Sequence, residues 1–462
     1  MPGKHRRGGN DTIVAVITPP GEGGIAAVRL AGPRSRSCLK RFFVSPRKHV
    51  VFKPFMLQYG SFVSSDGDPL DEITAVYMPK GKSYTGLEQV EIFCHGGRQI
   101  VRLILQELIN AGARPAEPGE FTRLAFLNGR IDLAKAEAVA EIIAADTDRS
   151  YRASREHLLG AYSDQIEKMR SGLINVAAEV EAGIDFAEDE IETAPREKLV
   201  EMTGDIIDKI KELLESYQGG RIINEGFKVV IGGRANVGKS SLFNLLLRKE
   251  RALVNPVAGT TRDYLSEWID LDGFAVNLID TAGFRKGGST VEREGRARAY
   301  SIIHSADLLV WIVDVTRKNC WANLRKDLAS PPKCPIMLVG NKIDLLSPGW
   351  EAPPTNYAHT LPLSCLTGRG VGELRRALVR CIDRKMPNLT SGLVVTSARH
   401  RQKLTIAVKN LKLARRKIKR GESPELAAFD LRQAISALDE ITGRVYTEEI
   451  LGRIFSRFCV GK

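Results

Sequence analysis

Lys239 and Ser240 close the run Gly233-Arg234-Ala235-Asn236-Val237-Gly238-Lys239-Ser240, which fits G-x-x-x-x-G-K-[ST]. Glycines let a backbone turn tightly enough for successive N–H groups to face one anion, and a following helix N-terminus adds partial positive charge. In such a loop the lysine reaches the β- and γ-phosphates and the serine hydroxyl suits Mg²⁺. Phe227–Ile231 is apolar and reads as a buried strand, while Ser241–Leu247 reads as the start of a helix. Strand, glycine loop and helix form the context this motif requires.

Four further segments specify the ligand. Gly259-Thr260-Thr261-Arg262-Asp263 supplies a threonine, Thr261, that can complete a Mg²⁺ shell. Asp280-Thr281-Ala282-Gly283 ends the apolar run Val276–Ile279, placing Asp280 near the metal and the Gly283 N–H near the γ-phosphate. Asn341-Lys342-Ile343-Asp344 follows the strand-like Ile336–Val339. The Asp344 carboxylate can accept two N–H bonds from guanine; adenine would leave that carboxylate, expected to be buried, unpaired. Ser364-Cys365-Leu366 can close over the base. Five pieces in this order point to a GTP-hydrolysing domain.

The remaining chain must position that unit. At 462 residues it exceeds one compact core, so two to four domains are expected. No apolar run approaches the length of a membrane span, and basic Met1–Asn10 lacks the apolar stretch of a signal peptide. Seven cysteines without a C-x-x-C pair argue against a disulfide framework or structural zinc, making a reducing cytoplasm the default. A formal net charge of +13 suggests an anionic partner.

Five segments are expected: a basic leader, 1–10; an α+β domain, 11–128; a helical part, 129–222; the nucleotide domain, 223–386; and a second helical part, 387–462. In the first domain Thr12–Thr18, Ile25–Leu30, Ile73–Met78 and Gln89–Cys94 read as strands, and Ile100–Ile109 as a helix. Leu158, Tyr162, Ile166, Met169, Leu173, Val176, Val180 and Ile184 recur at helical steps, predicting one long bundle helix. Glu188-Asp189-Glu190 reads as a solvated helix end. Gly219-Gly220 and Glu225-Gly226 flank the entry to the nucleotide domain; Pro387 and Gly392 mark its exit. Between Arg399 and Arg420 stand ten Lys/Arg and no acid, a helix that reads equally as a phosphate-tracking face or a solubilising one. Ile450, Leu451, Ile454, Phe455 and Phe458 predict a terminal amphipathic helix. The fold class expected is multidomain α/β and α+β: a P-loop domain inserted into a helical domain and preceded by an α+β domain.

Pro118-Gly119-Glu120-Phe121-Thr122, Arg123 to Arg130, Asp132-Leu133 with Ala136-Glu137-Ala138, and terminal Phe458-Cys459-Val460-Gly461-Lys462 carry a more specific signal. In these segments the chain resembles the tRNA modification GTPase family MnmE, also called TrmE. The resemblance implies a folate-binding N-terminal domain that dimerises, a split helical domain and an inserted G domain. It also implies a flavoenzyme partner, MnmG, joined in a heterotetramer, and tRNA as substrate. The implied chemistry installs aminomethyl or carboxymethylaminomethyl groups at C5 of the wobble uridine, with 5-formyltetrahydrofolate or a related one-carbon folate as cofactor.

The residue after the Asp280–Gly283 motif is Phe284, which cannot orient water, and only Arg285 stands nearby as an arginine. The resemblance implies that K⁺ replaces the missing cation, held by Asn236, Asn255, Val257 and Thr260, and that Glu292 orients the water beside Lys239. The nucleotide-facing set then comprises Asn236, Val237, Gly238, Lys239, Ser240 and Ser241; Asn255, Pro256, Val257, Ala258, Gly259, Thr260 and Thr261; Asp280, Thr281, Ala282 and Gly283; Asn341, Lys342 and Asp344; and Ser364, Cys365 and Leu366. For folate the resemblance carries over Arg29, Glu91, Arg130 and Lys462, with Glu91 for pterin N–H groups and the cations for carboxylates. Cys459 is expected to be a buried, inert thiol. The chain departs from the family pattern at Arg130, where lysine is commoner, at Asn255 for threonine, and at Ser-Cys-Leu for Ser-Ala-x. A ribosome-assembly GTPase and a non-enzymatic RNA scaffold are the rival readings; the former leaves the folate-like segment without a purpose, and Lys239 with Asp280 argue against the latter.

Overall fold

The computed structural model describes residues 11–46, 52–185, 194–253, 265–281, 302–329, 331–347, 360–386 and 393–462. The chain divides into two compact units: Met1–Ala140 with Ser163–Glu167 and Leu438–Lys462, and Glu141–Tyr162 with Lys168–Ala437.

The first unit is built on a seven-stranded sheet ordered β3-β4-β5-β6-β2-β1-β7. Its strands are β1 (Ile13–Val16), β2 (Gly23–Ala31), β3 (Phe43–Val44), β4 (Gln58–Val63), β5 (Pro69–Met78), β6 (Gln89–Gly96) and β7 (Arg114–Pro115). Val28, Leu30, Phe62, Ile73, Ala75, Val90 and Ile92 alternate with more exposed positions and form the buried face. Helices α1 (Ser35–Phe42) and α2 (Arg98–Asn110) cover it, burying Leu39, Phe42, Ile104 and Leu108. Each such side chain taken from water contributes about 1.5–3 kcal/mol. Beyond lie α3 (Glu120–Leu127) and α4 (Leu133–Ile143). The chain's final stretch belongs to this unit: Leu451, Ile454, Phe455 and Phe458 pack with Phe126, Leu133 and Ala136.

The second unit holds another seven-stranded sheet, ordered β14-β13-β12-β8-β11-β10-β9. These are β8 (Phe227–Gly233), β9 (Arg251–Ala252), β10 (Leu265–Leu271), β11 (Phe274–Asp280), β12 (Leu308–Asp314), β13 (Ile336–Asn341) and β14 (Leu361–Leu363). Strands β8, β11, β12, β13 and β14 run parallel, and β10 and β9 complete the edge antiparallel. Val229, Val230 and Ile231 on β8 are all buried, as a strand covered on both faces requires. Helices α8 (Lys239–Lys249), α9 (Cys320–Asp327) and α10 (Val371–Arg384) accompany the sheet.

Helices α5 (Asp148–Leu159), α6 (Ala161–Asp185), α7 (Arg196–Glu225), α11 (Ala398–Arg420), α12 (Pro424–Thr442) and α13 (Glu448–Phe455) supply the helical part. The single helix expected through Leu158 and Ile184 is two, because Gly160 takes a left-handed conformation, φ 99°, and closes α5. Gly219-Gly220 does not interrupt the chain; both lie inside α7, which runs on to Glu225. A Cβ at Gly220 would strike the Val395 carbonyl, so glycine there permits close approach of the returning chain rather than a break. That return is fixed further: His157 Nε2–H donates to the Val394 carbonyl at 2.8 Å, Val395 N–H to Ser216 Oγ at 3.0 Å, and Thr396 to Glu141 at 2.9 Å. The calls on Met1–Asn10, Glu188–Glu190, Pro387 and Gly392 lie outside the described residues.

Candidate functional site

The C-terminal ends of the parallel strands gather the sequence motifs on one edge. The glycine loop follows β8, Asp280 ends β11, Asp314 ends β12 and Asn341 ends β13. Their register is direct: Asp280 stands opposite Ile231, and Asp314 opposite Asn341. Open α/β sheets place ligands at this edge because helix N-termini and strand ends converge there.

The loop's shape follows from its residues. Asn236 and Gly238 have φ of 59° and 105°, a left-handed pair on which the loop turns back into α8. Any Cβ on Gly238 would collide with the Asn341 amide. Ala235, Asn236, Gly238, Lys239, Ser240 and Ser241 line a cavity of about 680 Å³ together with Asn341, Lys342, Asp344, Leu345, Cys365 and Leu366. Val237 lies beneath, 4% exposed and packed in the sheet's core.

Lys239 is buried, and its Nζ donates to the Arg234 carbonyl at 2.7 Å, so the loop's own backbone holds the ammonium at the cavity floor. Ser240 Oγ donates to Asp280 Oδ2 at 2.8 Å. Asp280 is fully buried, and hydroxyl and carboxylate oxygens at one point are the hard donors Mg²⁺ selects. Thr281 turns away from the cavity, donating to the Ile231 carbonyl at 2.9 Å and tying β11 to β8.

At the cavity's other end Asn341 bridges two loops. Its Nδ2 donates to the Val237 carbonyl at 2.8 Å, and its Oδ1 accepts from the Cys365 N–H at 3.0 Å. Lys342 adopts φ 72° and places Nζ 2.6 Å from Asp314 Oδ2. Burial alone would raise the Asp314 carboxyl, but hydrogen bonds from Lys342 and Thr316 outweigh it and hold the group below the ordinary carboxylate value. Burial and the nearby Asp344 charge push the Cys365 thiol up to about 11. Ser364 is buried, its hydroxyl accepting the Thr367 N–H at 3.1 Å, and Leu366 is 87% exposed at the rim. Asp344 is exposed rather than buried as the sequence suggested: it lies in the single helical turn Ile343–Leu345 after β13, and the protein itself does not desolvate that carboxylate. Asn255, Pro256, Val257, Ala258, Gly259, Thr260, Thr261, Ala282, Gly283, Phe284, Arg285 and Glu292 lie outside the described residues, so of the expected K⁺ ligands Asn236 alone is described, lining the cavity.

The first unit holds a second constellation. Arg29 and Glu91 are cross-strand partners on β2 and β6, with Nε and Nη2 of the arginine 2.9 and 2.8 Å from Glu91 Oε1. The Arg29 guanidinium lies over Tyr84 and Phe121, 5.6 and 5.5 Å from their ring centroids. Gln89 Nε2 donates to the same Glu91 oxygen at 3.1 Å. The Arg29 cation thus orients the Glu91 carboxylate. Phe121 N–H donates to the Lys462 carbonyl at 3.1 Å, which brings the last residue beside this pair. Exposed Arg130 donates to Gly81 O at 3.2 Å, at the base of the loop carrying Tyr84. Tyr84, Gln89 and Phe121 were not among the predicted site residues; a loop tyrosine and a helix phenylalanine meeting one strand arginine is a contact that only tertiary packing reveals. Cys459 is exposed, not buried, because α13 stops at Phe455 and the chain leaves the helix before it.

Comparison with known proteins covers nearly the whole chain. Residues 12–130 match the family described as GTP-binding protein TrmE N-terminus, and residues 133–459 match the MnmE helical domain. A protein of Akkermansia muciniphila named tRNA modification GTPase MnmE is 39% identical over 98% of this chain and 99% of its own length. Proteins of the same name from Aquifex aeolicus and Carboxydothermus hydrogenoformans are each 39% identical over 98% of the chain, covering 100% and 99% of their lengths.

Proposed function

Because this chain belongs to the MnmE family of tRNA modification GTPases, we propose that it is a potassium-activated GTPase that works with a flavoenzyme partner, MnmG, on the wobble uridine of certain tRNAs. The observation that carries the GTPase reading is the single cavity joining Lys239, the Ser240–Asp280 pair and Asn341 with Asp344. Phosphates fit the loop end, where backbone N–H groups, the α8 N-terminus and Lys239 supply positive charge. Lys239 must exchange the Arg234 carbonyl for a phosphate oxygen, a short movement from a pre-set position. Ser240, with Thr261, would hold Mg²⁺, which when bound neutralises charge on the β- and γ-phosphates. Asn236 fits a monovalent cation through its side-chain oxygen, with Asn255, Val257 and Thr260 proposed as the rest of that set. Potassium there would supply the charge that an arginine supplies elsewhere. Glu292 is proposed to hold the attacking water and accept its proton-side hydrogen bond, a role Phe284 cannot fill.

Base selection falls to Asp344, whose carboxylate accepts two guanine N–H groups, while Asn341 fixes its loop against the phosphate loop and Cys365 N–H. Arg29, Glu91, Arg130 and Lys462 are proposed as the folate-facing set, with Tyr84 and Phe121 offering ring faces to a pterin. A homodimer through residues 11–128 and a cytoplasmic location complete the reading; no helix among the described residues is long and apolar enough to cross a membrane.

GTP turnover compared in K⁺ and Na⁺ tests the activity: a large excess in K⁺, lost in Glu292→Ala, is expected, and equal rates in both salts would refute the cation assignment. Mass analysis of wobble nucleosides from a deletion strain tests the pathway; unaltered nucleosides there would favour the ribosome-assembly alternative.

A further inference from the structure

The sequence left the basic run between Arg399 and Arg420 undecided, and the fold separates its ten cations by task. Helix α11 buries Leu404, Ala407, Leu411, Ala414 and Ile418 on one face. Several cations serve the fold itself: Lys417 pairs with Asp430 at 2.7 Å, Arg415 donates to the Val200 carbonyl at 3.0 Å, and Arg401 lies over the Tyr217 ring at 4.8 Å. Lys409, Lys412, Arg416 and Lys419 are exposed, and no acidic partner is recorded for them among the described residues. Steps of three and four place these four in one solvent-facing row. At 1.5 Å per residue the row is about 15 Å long.

We propose that this row, Lys409, Lys412, Arg416 and Lys419, is the surface on which the protein holds the phosphate backbone of tRNA. The proposal rests on the family reading for its partner and adds the place of contact. A straight row of like charges repels itself unless a matching anion neutralises it, and a nucleic-acid strand presents phosphates at repeating intervals. A lipid surface fits less well, since a membrane-lying helix needs a free apolar face and that of α11 is already buried. The neighbouring α12 has four acids, Glu425, Asp430, Asp439 and Glu440, against one base, Arg432, so it does not extend the cationic row.

The test measures binding of unmodified tRNA to the full-length protein at several salt concentrations, with a parallel arm using anionic phospholipid vesicles. The variants are Lys409→Gln/Lys412→Gln/Arg416→Gln and the reversal Lys412→Glu/Arg416→Glu. The glutamine triple is expected to weaken tRNA binding at least about tenfold and to flatten the slope of log affinity against log salt by roughly two to three. GTP turnover and melting temperature should stay at parent values. Parent protein that binds tRNA, with both variants matching it in affinity and salt slope, overturns the surface and leaves the tRNA reading standing. Parent protein that binds vesicles but no tRNA overturns the surface too, while the nucleoside analysis judges the tRNA reading independently.

Discussion

Asn341 and Val237, 104 residues apart, are joined by a 2.8 Å hydrogen bond from the asparagine amide to the valine carbonyl. Its other amide atom accepts from Cys365 N–H, so one buried side chain aligns the phosphate loop with both base-facing loops. Asn341→Ala should leave the buried Val237 carbonyl and the half-buried Cys365 N–H unpaired, at about 1–3 kcal/mol. Titration with a fluorescent GTP analogue should show affinity falling about tenfold or more, with the melting temperature also lowered.

Gly238 shows the same junction from the loop side. At φ 105° and against the Asn341 amide, it has no room for a methyl group. Gly238→Ala should cost about 1–3 kcal/mol in backbone strain alone and push Asn341 off the Val237 carbonyl. Calorimetric melting and nucleotide titration should record a less stable protein with no measurable GTP binding.

The Asp314 carboxyl links stability to pH. Burial opposes its ionisation, but Lys342 and Thr316 hold it below the ordinary carboxylate value. A depressed folded-state value means the stabilisation is complete above the unfolded value, about 3.9, and is lost as pH falls through the folded one. Asp314→Asn should therefore be less stable than the parent at pH 7, and the gap should close below about pH 4. Denaturant melts at pH 7, 5 and 3 check this; a gap of constant size would refute it.

The thiols should separate by reactivity. Cys365 is pushed up to about 11, so at pH 8 roughly one molecule in a thousand carries its thiolate. Cys459 is exposed. Brief alkylation at pH 8 followed by peptide mass mapping should label Cys459 first and leave Cys365 and GTP binding intact.

The sequence by itself determined the nucleotide site's parts, because each is a local motif: a glycine loop needs its own strand and helix, and Asp280 and Asn341 end apolar runs that read directly as strands. It also determined the buried stripe of the terminal helix α13, since helical spacing fixes a face. Tertiary structure decided what depends on contacts distant in the chain. It broke the expected long helix at Gly160, kept Gly219-Gly220 inside α7, and exposed Asp344 and Cys459. Register between β2 and β6 paired Arg29 with Glu91, and the packing of α3 and of the loop before β6 put Phe121 and Tyr84 beside them. It also divided the cations of α11 into those that anchor the helix and those left facing solvent. A residue's periodicity fixes which way it faces on its own element; what it meets there depends on packing with segments hundreds of residues away.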